Sequence, residues 1–144
     1  MQKTQITLLL LSFGVLINFG CIKKDTIYVK YEAKKENKKW TEKYGKYKNE
    51  KDGIFFNIKD VSNKTMSFFF NKENKVDTLC IKHLKDYRFL SLEEIDELRQ
   101  KWIFENKRPP ADRNGVFKTY LIEVISDKNY VIYPVIWRNE GVID

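Results

Sequence analysis

The sequence predicts an α+β domain in which a mostly antiparallel sheet of about five strands carries one amphipathic helix. Two observations predict this fold class. Short apolar and aromatic runs alternate with turn residues, and a single stretch near the middle of the chain has helical spacing. The chain of 144 residues has room for one domain, which we expect to span residues 53–144.

The first strands of this domain are expected to form an antiparallel meander. Asp52-Gly53 is a turn signal, and the apolar run 54–58 follows it directly. The runs 65–70 and 76–82 come next, separated by loops rich in Asn and Lys. Short connections of this kind favour pairing between successive strands.

Three consecutive Phe residues, 68–70, lie in the second of these runs. Because successive side chains of a strand point to opposite faces, Phe must occupy both faces of the sheet. One face is therefore expected to carry an apolar patch. Either residues 28–47 cover that patch or it meets a partner.

The clearest element is a helix predicted over residues 92–104. Ser91 and Glu94 have the spacing of a capping box, in which each side chain accepts a backbone N–H of the other. The apolar stripe at helical spacing consists of Leu92, Ile95, Leu98 and Trp102. Acidic residues early in the helix are explained by capping and solubility.

The remaining elements follow a long loop. Pro109-Pro110 ends the helical pattern, and residues 105–115 are expected to form the longest loop of the chain. Two strands, 116–125 and 130–137, come after it. Pro134 cannot donate to a strand ladder, so the last strand is expected to be an edge or to carry a bulge.

The first residues have the pattern of a secretory signal peptide. A positive start is followed by an uncharged apolar run, 6–17, which is shorter than the roughly 20 residues of a spanning helix. Gly20-Cys21 then resembles the lipobox of bacterial lipoproteins. The resemblance implies that residues 1–20 are removed and that Cys21 is the lipidated first residue of the mature chain. An uncleaved signal anchor is the alternative.

Residues 21–52 are expected to form a Lys-rich membrane-proximal tether. Residues 22–52 hold eleven Lys and six acidic residues, whereas residues 53–144 are nearly neutral. The tether either holds the domain away from the membrane or lies on anionic headgroups. Tyr28 to Tyr31 is expected to be a short strand. Three aromatic residues, Trp40, Tyr44 and Tyr47, have helical spacing and are expected to dock this segment onto the domain.

The chain offers little catalytic chemistry. Cys80 and His83 are its only thiol and imidazole pair, but positions three apart in a strand point to opposite faces. Cys80 is therefore expected to be an inert core thiol and His83 a polar residue at a strand end. One His and two Cys exclude a multi-histidine or four-cysteine metal centre, so we expect no cofactor and no metal.

The long loop supplies the best candidate site. Arg108, Asp112 and Arg113 are the candidate partner-binding residues, since Arg beside a rigid Pro-Pro can pair with carboxylates or phosphates. The alternative is a simple connection between helix and strand. Tyr133 and Trp137 share a strand face and are the candidate residues for stacking on a sugar, with core packing as the alternative.

Together these patterns predict a lipoprotein of the bacterial cell envelope, held at a membrane through Cys21. We expect a non-catalytic protein-binding module, such as an inhibitor, immunity or assembly partner. A protein that binds glycan or cell-wall ligands is the first alternative, and a small envelope enzyme using His83 is the second. Nucleic acid is not an expected partner, because no binding motif or Arg cluster accompanies the basic segment.

Overall fold

The computed structural model describes residues 24–31, 52–107 and 112–138, together with the backbone of residues 45–49. They form a mixed α/β fold with few helices and a mostly antiparallel sheet. The strands are β1 (Asp25–Tyr31), β2 (Gly45–Asn49), β3 (Gly53–Lys59), β4 (Thr65–Asn71), β5 (Asp77–Cys80), β6 (Phe117–Val124) and β7 (Asn129–Trp137). The helices are a 3-10 helix (Ile81–Asp86), α1 (Leu92–Asn106) and the single turn α2 (Arg113–Val116).

Six strands lie side by side in the order β1-β6-β7-β4-β3-β2, and β5 pairs with β7 outside this path. Among the strand pairs that the structure describes, only β1 and β6 are parallel. The hairpin of β3 and β4 was predicted, but the expected third strand of a meander is wrong: β5 pairs with β7. Short loops favour pairing between strands that are successive in the chain. The nine-residue β7 is nevertheless long enough to pair with β5 through its first half and with β4 through its end.

The sheet reaches into the segment expected to be a tether. β1 begins at Asp25 and pairs with β6, and β2 pairs with β3, so residues 25–31 and 45–49 extend the sheet. The short strand expected at Tyr28 to Tyr31 is therefore present, as part of a longer one. Tyr47 lies in β2 and not in a helix, while Trp40 and Tyr44 lie outside the described residues.

One face of the sheet, here called the core face, is buried. Three strands lie between β1 and β3 in the sheet order, yet the rings of Tyr31 on β1 and Phe56 on β3 are only 5.5 Å apart. The sheet is therefore strongly curled. The Phe56 ring in turn lies 5.1 Å from that of Tyr133. The core is therefore enclosed largely by the sheet itself.

α1 begins where the sequence predicts. Ser91 accepts from the Glu94 N–H at 3.2 Å, and Glu94 accepts from the Ser91 N–H at 2.8 Å, so the capping box is confirmed. Leu92 and Ile95 are buried in the core, Trp102 packs against it, and Leu98 is 41% exposed. The predicted stripe is thus buried mainly in its first turns.

The loop after α1 is shorter than predicted. α1 continues to Asn106 and ends at Lys107, whose φ of 48° is the left-handed conformation of a helix C-cap. Residues 108–111 lie outside the described part, and α2 begins directly after Asp112. Only residues 108–111 lie between Lys107, the C-cap of α1, and Asp112, the N-cap of α2.

β7 lies inside the sheet and is not an edge strand. On one side it pairs with β6, and on the other it changes partner from β5 at residues 129–132 to β4 at residues 136–137. Pro134 lies between these two stretches. The residue that lacks a backbone N–H therefore occupies the point where that side of β7 passes from one partner to the next.

Candidate protein-binding surface

The face opposite the core face, here called the outer face, carries an apolar row across three strands. Phe55 on β3 is the register partner of Phe69 on β4, and Phe69 is the register partner of Ile136 on β7. The two Phe rings are 4.8 Å apart. Both rings are half-buried, and Ile136 is 43% exposed.

Arg138 lies over this row. Its guanidinium carbon is 4.9 Å from the centre of the Phe55 ring and 6.0 Å from that of Phe69. The Arg138 backbone N–H donates to the carbonyl of Ser67 at 2.9 Å, which fixes the start of the side chain beside β4. A cation held over two aromatic faces is attracted by their quadrupoles. We call Phe55, Phe69, Ile136 and Arg138 the outer patch.

Polar groups border the outer patch on the same face. Ser67 donates to the Asn57 side-chain oxygen at 2.7 Å, and this pair lies two residues along β4 and β3 from Phe69 and Phe55. Aromatic residues and Arg are enriched at the centre of protein interfaces, with polar residues around them. The outer patch has this composition.

The outer patch agrees with the expectation that the run of three Phe residues serves both faces. Phe68 and Phe70 are buried in the core, and Phe69 points to the outer face. In the segment 28–47, one of the two expected covers of this patch, residues 28–31 and 45–47 extend the sheet as strands. Residues 32–44 lie outside the described part of the chain. Arg138 was missed because only the sheet register brings it over Phe55.

The residues expected to bind a partner have internal roles where the structure describes them. Asp112 accepts from the Gly115 N–H at 2.5 Å and caps α2. Arg113 donates to Asp96 on α1 from Nη2 at 2.5 Å and from Nε at 3.1 Å. Its guanidinium also lies 4.7 Å from the centre of the Trp137 ring. Arg108 lies outside the described residues.

Asp96 is the electrostatic centre of this cluster. Its second oxygen accepts from Lys64 at 3.2 Å, so two cations contact one carboxylate. Burial raises the pKa of Asp96, but the hydrogen bonds and charges of Arg113 and Lys64 outweigh burial and lower it. The cluster ties α1 to α2 and to the turn between β3 and β4.

Tyr133 and Trp137, the candidate sugar-stacking residues, are both buried on the core face. The Tyr133 hydroxyl donates to Glu123 at 2.9 Å, and the Trp137 indole N–H donates to Thr119 at 2.8 Å. The Asn114 side chain donates to the Trp137 backbone carbonyl at 2.9 Å and accepts from the Trp137 backbone N–H at 2.8 Å. Neither ring offers a face to a sugar in this arrangement.

Cys80 and His83 differ from their expectations. Cys80 is exposed and not a core thiol, because β7 is the only partner of β5 among the described strands and all four residues of β5 are exposed. His83 lies in the 3-10 helix and not at a strand end, with Nδ1 3.4 Å from Asp86. Within the described residues, no group of three or more His, Cys, Asp or Glu side chains is arranged to hold a metal ion.

An open groove of about 610 Å³ lies between β1 and α1. β1 contributes residues 25–28, and α1 contributes Glu94, Glu97, Leu98 and Lys101. The hydrogen bond from the Ser91 backbone N–H is the main cause that lowers the pKa of Glu94, and the nearby Arg88 charge lowers it further. Charges of both signs line the groove. Its shared lining places the middle of α1 beside the first residues of β1.

Cys21, the residue expected to carry the lipid, lies outside the described residues. Among the helices that the structure describes, none has the length and apolar composition needed to cross a bilayer. No protein-family model, curated protein or solved structure matches this chain.

Proposed function

We propose that the protein is a bacterial envelope lipoprotein, anchored through Cys21, that acts as a non-catalytic protein-binding module. The observation that carries the binding role is the outer patch, in which Arg138 lies over the paired rings of Phe55 and Phe69. The lipobox-like Gly20-Cys21 supports the proposed location at an envelope membrane. The partner is another protein of the same envelope.

The outer patch suits a protein partner because its parts are already ordered before binding. Phe55 and Phe69 are held by a strand ladder, and Arg138 is fixed at its backbone by Ser67. A rigid aromatic surface loses little conformational entropy on association. A partner carboxylate could pair with the outer edge of the guanidinium while apolar side chains pack on Ile136.

The scaffold behind the outer patch includes α1, which we take to be an amphipathic helix packed on the sheet. Leu92 and Ile95 join the core, whereas Glu93 and Glu97 are exposed. Arg113 and Asp96 hold this helix against the chain that enters β6. Arg113, one of the residues expected to bind a partner, thus contributes to this scaffold.

The alternatives have less support. The glycan hypothesis relied on Tyr133 and Trp137, both of which are buried. The enzyme hypothesis relied on His83, which contacts Asp86 on an exposed 3-10 helix. Neither residue set lines the groove beside α1.

A site-specific photocrosslinker tests the binding proposal. We would place it at Ile136 in the full chain, expressed in its native envelope, and at Ile125 as the matched control. Ile125 is 52% exposed and lies directly after β6, away from the outer patch. We expect a discrete protein adduct from position 136 and none from position 125.

The crosslinked adduct must also depend on Arg138. Arg138→Ala should abolish it, whereas Arg88→Ala, which alters an exposed Arg paired with Glu94, should leave it unchanged. Equal adducts from positions 136 and 125, or an adduct indifferent to Arg138→Ala, would contradict the proposal. Palmitate labelling of the natural chain against Cys21→Ser tests the anchor separately.

A further inference from the structure

The start of β1 defines one end of the molecule, here called the anchor end. Asp25 is the register partner of Phe117 at the start of β6, and Trp137 ends β7 at the same level. Since Phe68 on β4 pairs with Trp137, the turn between β3 and β4 also lies at this end. α2, which directly precedes β6, lies there as well.

The anchor end is close to Cys21 in the chain. Only four residue steps separate Cys21 from Asp25, so the two Cα atoms are at most about 14 Å apart even when fully extended. Lys24 donates to the carbonyl of Asn114 in α2 at 2.6 Å, which fixes the entering chain against this end. A lipid on Cys21 would therefore hold the anchor end at the membrane surface, with no long spacer between them.

The two most exposed large apolar side chains of the described residues both lie at the anchor end. Val61, 92% exposed, is in the turn between β3 and β4, beside Asp60, which accepts from the Leu92 N–H at the start of α1. Phe104, 84% exposed, lies on α1 three residues after Lys101. Lys101 shares the groove with Asp25, so Phe104 is about one helical turn further along α1.

Charges at this end are mixed. Lys107 and Lys118 are exposed there, but so are Glu93 and Glu97 on the outside of α1. The apolar side chains, and not a uniform positive charge, therefore determine what the surface contacts. Aromatic side chains on such a surface are favourable at the boundary between headgroups and acyl chains.

We propose that the anchor end rests on the lipid bilayer, with Phe104 and Val61 entering the headgroup boundary. This inference rests on the proposed anchor at Cys21 and adds a second, non-covalent membrane contact to it. It replaces the expected tether by direct contact between the domain and the bilayer. Because the charges are mixed, contact does not require anionic lipid.

Depth-sensitive fluorescence tests the inference on the full lipidated chain in phosphatidylcholine vesicles. In a Cys80→Ser background, Phe104→Cys and Val61→Cys are labelled with an environment-sensitive dye, and Ile125→Cys is the control. Ile125 follows the far end of β6, about 26 Å from Phe117. We expect blue-shifted emission and quenching by lipid-borne quenchers at positions 104 and 61, and aqueous emission at position 125.

The outcomes separate the seating from the anchor. A chain that floats with the vesicles but shows aqueous emission at positions 104 and 61 would overturn the seating and leave the anchor intact. A chain that does not float would overturn both. Emission shifts at 104 and 61 that persist in high salt would support apolar contact, whereas shifts seen only with anionic lipid would contradict it.

Discussion

Arg113 clamps Asp96 across the connection between the two helical segments. Its Nη2 lies 2.5 Å from Asp96 Oδ1, and both side chains are largely buried, at 19% and 29% exposure. The carbon of the same guanidinium lies 4.7 Å from the centre of the Trp137 ring. One side chain thus joins α1, α2 and the end of β7.

We expect Arg113→Ala to lower the free energy of unfolding by about 1–3 kcal/mol, because it leaves a partly buried carboxylate with fewer charge-assisted hydrogen bonds. Chemical denaturation of the two proteins measures this. Lys101→Ala is the matched control, since Lys101 and Glu105 form an exposed ion pair at 3.8 Å. That change should cost no more than about 0.5 kcal/mol. Equal losses in the two variants would contradict the role of the clamp.

Acid should weaken the same clamp. The pKa of Asp96 is below its ordinary value of 3.8, so the folded chain binds fewer protons there than the unfolded chain. The stability that Asp96 supplies is therefore present above about pH 4 and is lost as the pH falls through its lowered pKa. The stability difference between the natural chain and Asp96→Asn should shrink on acidification from about pH 6 to about pH 3. A difference that stays constant over this range would show that the carboxylate is not titrating there.

Local signals in the sequence predicted α1 well. The capping box of Ser91 and Glu94 involves only four consecutive residues, so no information about the rest of the fold is needed to recognise it. The hairpin of β3 and β4 was predictable for the same reason. The parallel pairing of β1 with β6 was not, because its partners are about ninety residues apart.

The misjudged residues share one physical cause. The sequence predicts Arg113 as a surface recognition residue, because its partner Asp96 lies on another element, seventeen positions earlier. Cys80 was expected in the core because its strand is apolar, yet β5 lies at the margin of the sheet. Exposure depends on which elements flank a residue, and alternation along one strand does not contain that information.

Gly53 is expected to tolerate no side chain. A Cβ at this position would lie 1.9 Å from the Phe70 carbonyl oxygen, and the φ of 157° is one that other residues rarely adopt. We expect Gly53→Ala to destabilise the fold by about 2 kcal/mol or more, measured by denaturation. Gly115→Ala, at an exposed position in α2, is the control and should have a small effect. A stable Gly53→Ala protein would mean that β3 and β4 are further apart than described.

Cys80 should react with a maleimide in the folded protein, because its side chain is exposed. In the mature lipidated chain Cys21 is blocked by its thioether, so mass spectrometry should show one label per chain, and none in Cys80→Ser. Two labels would mean that Cys21 carries an unmodified thiol, which would contradict the anchor. Labelling of Cys80 only after denaturation would instead place it in the core, and would contradict the position of β5 at the sheet margin.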